Sequence, residues 1–568
     1  MRPVALAILL VSLLLCFYNL GSMPLFDQDE PRYASAARTM IETKNYVVPY
    51  FNGQPRYQKP VLIYWLMCAS FKLFGINEFA ARFPSALSVV LLVLITFIFA
   101  KRYLSPFGAV VAALSLATSF GVVASAHVAT TDALLHLLIG SAFMSFFHAE
   151  CLTASEHVCA GAPTKVGRVS SSLFFYLLAY ALSGFAILTK GPIGFILPAL
   201  GICSYWMLTR QFVSGLKRSH ILAGFVMLTL INLPWWTLAS LQTGGEFLRV
   251  FFLRENIQRF ASVKHAQPIW YFIPVLFVFF FPWSAFIPQA WLYGVRTMMR
   301  KLMSSLAYRT MFETHQSLVS YCTCWSLAII IFFSLSKCKN PQYILPSFSS
   351  LALLCGWWFD RFLKGEFDVA QLRRTAIGLS FLSALLTSLV LLTPKVINVY
   401  FRHRFTYGDE LVDLGWGIHA TAIALALCGV VGIFVMRTRV GKSYQALFPF
   451  VLACLMIAVN LSLAHSVAPR IAYYRQEPLR DFAIAIGATA HPHDAIVVFK
   501  RDQSSVVYYS HRVVMRINDV AELRKVIQAH KRTFIIAKRK DMNELLSEFG
   551  DKVHVIQERL AYALLVIK

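Results

Sequence analysis

Residues Leu25–Met40 read LFDQDEPRYASAARTM, and they follow an apolar run, Val4 to Leu20, long enough to enter a bilayer. Asp27, Asp29, Glu30 and Arg32 fall within six residues, directly after that run. The reading of this junction decides the fold. Either a signal peptide is followed by a soluble domain, or a first membrane helix is followed by a polar site at one membrane face. The run lacks a small-residue cleavage site and many apolar runs come after it, so it is expected to be a retained first helix.

The rest of the chain agrees. It has 568 residues, 57% of them hydrophobic, and a mean hydropathy of +0.60. Several apolar runs approach or exceed the ~20 residues that cross a bilayer as a helix. Spans are expected at 4–20, 82–100, 106–126, 132–149, 173–189, 191–208, 220–240, 269–292, 316–335, 342–359, 375–393, 417–436 and 444–464. The expected fold class is an all-α polytopic membrane protein of about thirteen transmembrane helices, with outer juxtamembrane helices, plus a small C-terminal α/β domain. The expected domains are a transmembrane domain at 1–464, with an outer juxtamembrane segment at 21–81, and an outer α/β domain at 465–568.

The net charge of +25 would suggest nucleic acid in a soluble protein. Here the cations fall in alternate connections: Lys101/Arg102, Lys165/Arg168, Arg210/Lys217/Arg218, Arg296/Arg300/Lys301/Arg309, Arg361/Lys364/Arg373/Arg374 and Arg437/Arg439/Lys442. The positive-inside rule makes that side the cytoplasm, with Arg2 beginning the series and the C-terminal tail outside. No basic, aromatic-bearing soluble module is visible, so nucleic acid is not expected. The eleven cysteines lie mostly in apolar runs and form no CxxC…CxxC pattern, which supports neither a zinc ribbon nor a disulfide framework.

With that sidedness the unusual polar groups share the outer face. Residues 29–43 carry Tyr33, Ala36, Ala37, Met40 and Ile41 at helical spacing, with Pro31 in the first turn, and predict an amphipathic helix. NYVVPYFNGQPRYQKP reads as a turn-rich link, and Val61 to Gly75 as an interfacial helix. In the tail, DAIVVFK, SVVYYS, RVVMRI, RTFIIAKR, KVHVIQER and YALLVIK read as β-rich, and DVAELRKVIQAH and MNELLSEF as helical. The tail carries no nucleotide-binding glycine loop or nucleophile motif, so an accessory role is expected.

Each polar motif has two readings. Asp29, Arg32 and Tyr33 share a helical face, which suits a general base beside a cation; equally, Asp29 or Glu30 caps the helix and Arg32 snorkels. Arg56 and Lys59 in RYQKP suit phosphate binding, or headgroup anchoring. Asp132 in VATTDALL is a second carboxylate or an N-cap. Lys190 in ILTKGPIGF, and Lys337, Lys339 and Tyr343 in SLSKCKNPQYILP, are cations and a phenol at span ends or ordinary loop residues. His265 is a metal ligand only with partners from elsewhere. The shared face is the stronger signal, because it gathers carboxylates, cations and hydroxyls from distant segments. Such a face suits an amphiphilic anionic substrate. Ionisable groups near the membrane midplane, as a transporter would use, are scarce; His136 is the candidate.

Taken in order, DQDEPRYA, YQKPVLIYW, TTDALL, LTKGPIGF, ENIQRF, PIWYFIP and FFSLSKCKNPQYILP resemble the membrane glycosyltransferases of the protein O-mannosyltransferase superfamily. Within it they look most like the bacterial aminoarabinose lipid A transferases, over nearly the whole chain. The resemblance implies a GT-C fold in the bacterial inner membrane. It implies transfer of a sugar, 4-amino-4-deoxy-L-arabinose, from undecaprenyl phosphate to a lipid A phosphate at the periplasmic face, which gives resistance to polymyxin and cationic peptides. The implied catalytic residues are Asp29, Glu30 and Asp132. Arg32, Tyr33, Lys59, Lys190, Lys337, Lys339 and Tyr343 are the implied substrate-binding residues. The implied partners are the donor, lipid A or another outer-face acceptor, and membrane lipids, for a monomeric protein. No cofactor is required on this reading. A divalent metal such as zinc, with His265 as a ligand, is the alternative, and Gln58 departs from the glutamate the family commonly has there. The other functional readings are a related polyprenyl-phosphate-sugar transferase with a different sugar or with a protein or glycan acceptor, and a lipid or sugar transporter.

Overall fold

The computed structural model describes residues 2–158, 165–258, 266–303, 314–406, 410–437 and 442–567. Among them, eight helices are long and apolar enough to cross a membrane, or ten if two bent pairs each count as one span. The lipid-facing character is plain on Ile221–Gln242, where only Gly224, Trp235 and Ala239 are buried while Leu222, Leu230 and Leu241 stand exposed. A leucine surface of this kind is the one hydrocarbon chains cover.

The thirteen expected spans fall on helices, but not on thirteen straight spanning ones. The first is a short apolar helix, Pro3–Phe17, and so is Ile193–Leu208. The expected span 342–359 opens as a 3-10 turn, Pro341–Ser347, before Phe348–Leu363. The span 106–126 bends by 58° between Thr118 and Phe120. The span 269–292 is broken by 115° between Phe279 and Trp283, where Pro282 cannot donate a helical hydrogen bond. His136 lies buried inside the bundle and hydrogen-bonds Ser349 through Nε2 at 3.0 Å.

At one end of the bundle, Asp29–Thr43 forms the amphipathic helix. Pro31 fits its first turn, Tyr33, Ala36, Ala37 and Met40 are buried, and Lys44 ends it in the left-handed conformation. A hairpin follows, Tyr50–Phe51 against Gln54–Pro55, closed by Asn52 and Gly53 at φ 54° and 74°. Two consecutive positive φ values are what an Asn-Gly type I′ turn supplies. Leu62–Phe74 is the next helix, and Glu78–Tyr103 enters the bundle after Asn77 accepts from the Ala80 amide at 2.8 Å as its N-cap.

The C-terminal domain is α/β, with a five-stranded mixed sheet. Met515–Ile517 runs parallel to Ala495–Phe499, which runs parallel to Thr533–Lys538; Tyr562–Ile567 and then Val553–Arg559 add antiparallel. The three central strands are buried on both faces. Ile496, Val498, Phe534 and Ile536 pack on one side, and Val497, Phe499, Ile535 and Ala537 on the other. SVVYYS is not a strand: Ser504–Ser510 is helical, with Val506, Val507 and Tyr508 buried. β-branched and aromatic side chains favour strands only when a pleated surface awaits them, and here packing overrides the preference. The domain is joined to the bundle by continuous helix, because Gln445–Arg475 runs through residue 464 with a π turn at Leu463–Val467.

The helix Ser504–Ser510 fastens the C-terminal domain to the juxtamembrane segment. Arg38 donates to the Tyr508 carbonyl at 2.7 Å, and the Leu25 amide donates to the Tyr509 hydroxyl at 2.9 Å. The Ser505 amide and hydroxyl donate to the two Asp27 oxygens at 2.7 and 2.6 Å. The side chain of Asn52 exchanges two hydrogen bonds of 2.8 Å with the backbone of Val514.

Candidate functional site

Between these parts lies a polar cavity of about 1270 Å³. It is lined from separate places along the chain: the start of the amphipathic helix, the hairpin and the segment 54–59, Thr130–Asp132, Lys190, the segments around 254–258 and 267–271, residues 338–343, and the C-terminal domain. Eight cations line it, Arg32, Arg56, Lys59, Lys190, Arg254, Lys339, Arg475 and Arg516, against five carboxylates, Asp27, Asp29, Asp132, Glu255 and Asp502. The excess of positive charge suits an anionic ligand.

Asp29 opens its helix and faces this cavity. Among the described residues its carboxylate makes no hydrogen bond and no ion pair, although Arg56 and Tyr33 feel its charge. Arg32, one turn on, donates through Nε to Ser504 Oγ at 2.9 Å and pairs with Asp502 at 2.6 Å. Tyr33 is buried with its ring 4.9 Å from the Arg56 guanidinium, and burial pushes its phenol well above the usual range. Arg56 in turn donates to the Tyr64 hydroxyl at 2.9 Å. Lys59 and Gln58 line the same wall.

On the opposite side, Asp132 begins its helix. It accepts from Thr130 Oγ1 at 3.2 Å and forms an ion pair with Lys190. Lys190 ends the helix Lys165–Lys190, where Gly191 turns at φ 87°, and its ammonium lies 4.9 Å from the Tyr343 ring. Lys339 is buried and donates to the Gln267 carbonyl at 2.9 Å.

Two expected site residues are elsewhere. Glu30 points away from the cavity into the bundle. Its oxygens accept from Arg82 at 2.9 Å each, and from the amides of Phe26 and Ala129 at 2.7 Å. Arg82 also donates to the carbonyls of Leu20, Met23 and Pro24, and both side chains of the pair are at most 2% exposed. Both oxygens are filled and the pair is buried, which places Glu30 as the counter-ion of Arg82, outside the cavity's lining. Lys337 is exposed and does not line the cavity; its neighbour Lys339 does.

Sequence reasoning missed Arg475, Asp502 and Arg516, because the C-terminal domain was expected to be accessory. Arg56 was weighed with Lys59 in RYQKP for phosphate binding but was not among the site residues that the resemblance implied. Gln58 Oε1 is buried without a hydrogen-bond partner, and His265 lies outside the described residues. Among the described residues no three His, Cys, Asp or Glu side chains converge as metal ligands.

A family profile described as dolichyl-phosphate-mannose-protein mannosyltransferase matches residues 58–161, which include Gln58, Lys59 and Asp132. The structure superposes on that of ArnT from Cupriavidus metallidurans bound to undecaprenyl phosphate, with a TM-score of 0.73 over 99% of this chain and 97% of that one, at 21% identity. The fold is GT-C. An archaeal oligosaccharyltransferase, AglB from Archaeoglobus fulgidus, shares the GT-C architecture at a TM-score of 0.55 and 12% identity, over 95% of this chain and 69% of that one. In sequence, the GT-C chain is a homologue of the undecaprenyl phosphate-alpha-4-amino-4-deoxy-L-arabinose arabinosyl transferases. It is 31% identical to that of Edwardsiella ictaluri over 66% of this chain and 64% of the relative. It is 33% identical to transferase 2 of Pseudomonas fluorescens over 69% of this chain and 65% of the relative. The matched region thus spans just under two thirds of each of these relatives' length.

Proposed function

We propose that the chain is a polyprenyl-phosphate-dependent glycosyltransferase that moves 4-amino-4-deoxy-L-arabinose from undecaprenyl phosphate to a lipid A phosphate. The observation that carries the reading is Asp29, a carboxylate without partners among the described residues, facing a cavity with eight cations. The relatives' names and the lipid in the Cupriavidus structure support the choice of donor. So does an apolar cavity of about 630 Å³ between the helices ending at Lys190 and beginning at Ile193 and Ile221, whose lining includes Ile187 and Pro192, close in sequence to Lys190. It suits the polyprenyl chain, with the phosphate reaching the polar cavity.

In the transfer, the bond between the anomeric carbon and the donor phosphate oxygen breaks, and its electron pair stays on the phosphate. Lys59, Arg56 and Arg32 stabilise the charge that grows there. An oxygen of the acceptor phosphate, already ionised, forms the new bond. Asp29 then acts as an electrostatic positioner for the sugar's ammonium and for the oxocarbenium-like centre, with no proton to remove. Lys190, neutralised by Asp132 and set over Tyr343, orients the acceptor side.

Loop charges support placing the N-terminus in the cytoplasm and the cavity on the periplasmic face of the inner membrane. Gln58, in place of the family's glutamate, keeps a second donor sugar as the competing reading. Mass spectrometry of lipid A from cells with and without the protein tests the proposal. A phosphate-linked aminopentose that depends on the protein is expected. A different sugar points to the competing reading, and unchanged lipid A sinks both.

A further inference from the structure

A second cavity, of about 420 Å³, lies where the C-terminal domain meets the end of the bundle. Five cations line it, Arg404, Arg475, Arg501, Lys538 and Lys540, with Gln503 and Tyr562. Among the described residues no carboxylate lines it, and none of the five forms an ion pair. Like charges gathered in this way repel one another and cost stability unless an anion joins them.

The setting is an anion site by its topology as well. Ala495–Phe499 and Thr533–Lys538 are neighbouring parallel strands, and Arg501, Gln503, Lys538 and Lys540 all follow or end them. Crevices at the carboxyl ends of parallel strands are where such sheets bind ligands. Lys540 also lies in the first turn of the eleven-residue helix Arg539–Phe549, where the backbone dipole disfavours a cation and favours an anion.

The decisive residue is Lys538. Its side chain is 5% exposed, lines the cavity, and has no hydrogen bond or ion pair among the described residues; its one contact of note is the Tyr562 ring at 5.6 Å. Burial pushes its ammonium down to about 8, helped by the charges of Arg501, Lys540 and Arg475 and opposed by Asp541. Arg501 adds a buried Nε that lacks a partner. Burying one unpaired cation is unfavourable, and burying it among four others is more so.

We propose that this cavity is a phosphate-binding site, distinct from the transfer cavity and joined to it by Arg475, which lines both. It serves a phosphate carried by a lipid headgroup or free in solution, and it stands whether or not the transfer reaction is the one proposed above.

The test is thermal unfolding of the full-length protein in detergent, titrated with inorganic phosphate against chloride at equal ionic strength. Phosphate is expected to raise the midpoint by a few degrees, on the order expected for ligand linkage. The Arg501→Gln/Lys540→Gln protein should require about tenfold more phosphate or greater, since each lost charge-assisted bond weakens binding. Lys525→Gln, at an exposed lysine of the C-terminal domain that lines neither cavity, should respond like the wild type. Nanodiscs containing phosphatidic acid, compared with phosphatidylcholine alone, distinguish the source. Protection by phosphatidic acid without a response to inorganic phosphate assigns a lipid headgroup, and the reverse assigns the free ion. Two results would overturn the site: no response to either probe, or equal responses in the wild type and the double variant. Lys538→Met gives a further check. It should be no less stable than the wild type in phosphate-free buffer and should lose the response. A destabilised variant that keeps the response makes Lys538 a packing residue and also ends the proposal.

Discussion

Arg32 of the juxtamembrane helix pairs with Asp502 of the C-terminal domain at 2.6 Å, across 470 residues of sequence. Both side chains line the polar cavity of about 1270 Å³, so the domain is part of its wall. The pair is partly exposed, and its share of stability is about 1 kcal/mol or less. Asp502→Asn should therefore leave the unfolding midpoint nearly unchanged while lowering transfer about tenfold, as Arg32 loses its fixed direction. Transfer assayed with purified enzyme and donor lipid reads this out; an unaltered rate would make the contact a mere fastening.

Asp29→Asn preserves shape and removes charge. Transfer should fall by about 100-fold or more, the scale of a lost electrostatic stabiliser, with normal expression and unfolding. Full activity in this variant removes Asp29 from the chemistry.

Glu30→Gln should behave in the opposite way, although it changes the adjacent residue. The substitution leaves Arg82 charged and unpaired in the bundle, which costs about 3–5 kcal/mol. The expected phenotype is a lowered unfolding midpoint and poor yield, with the surviving protein still active. A fully stable but inactive Glu30→Gln protein would return Glu30 to the site.

Asp27 predicts a pH dependence. Burial pushes its carboxyl up from 3.8 to about 6, against the two hydrogen bonds from Ser505. Because the folded value is the higher one, the folded state holds its proton more tightly. The associated stability is full below about 3.8 and is lost as pH rises through about 6. Hydrogen exchange of Ser504–Ser510, which Asp27 holds, should accelerate across that window in the wild type. In Asp27→Asn the step should vanish; a step of equal size in the variant would assign it to another group.

Much of this was legible in the sequence. Helical spacing placed Asp29, Arg32 and Tyr33 on one face, and that face does meet the cavity. Asp132, Lys190 and Tyr343 are three motifs far apart in the chain, and they converge because each lies at a helix end on the same side of the bundle. The placement of Glu30 away from the cavity was hidden because its partner, Arg82, lies 52 residues on, inside an apolar helix that gives no outward sign of a buried charge. The break at Pro282 was hidden because an apolar run scores alike whether its helix is straight or folded back. Asp502 and Arg516 could not be seen at all: a domain without a nucleotide loop or nucleophile motif offers no clue that its surface completes someone else's pocket.

The helix Gln445–Arg475 runs from inside the bundle to a cation that two cavities share. Residues 465–568 are accordingly not an interchangeable module. A chimera spliced at residue 464 would cut within one helical rod and exchange Arg475, Asp502 and Arg516 together, and with them part of the polar cavity's wall. A crossover that leaves this rod whole lies further back, before Lys442.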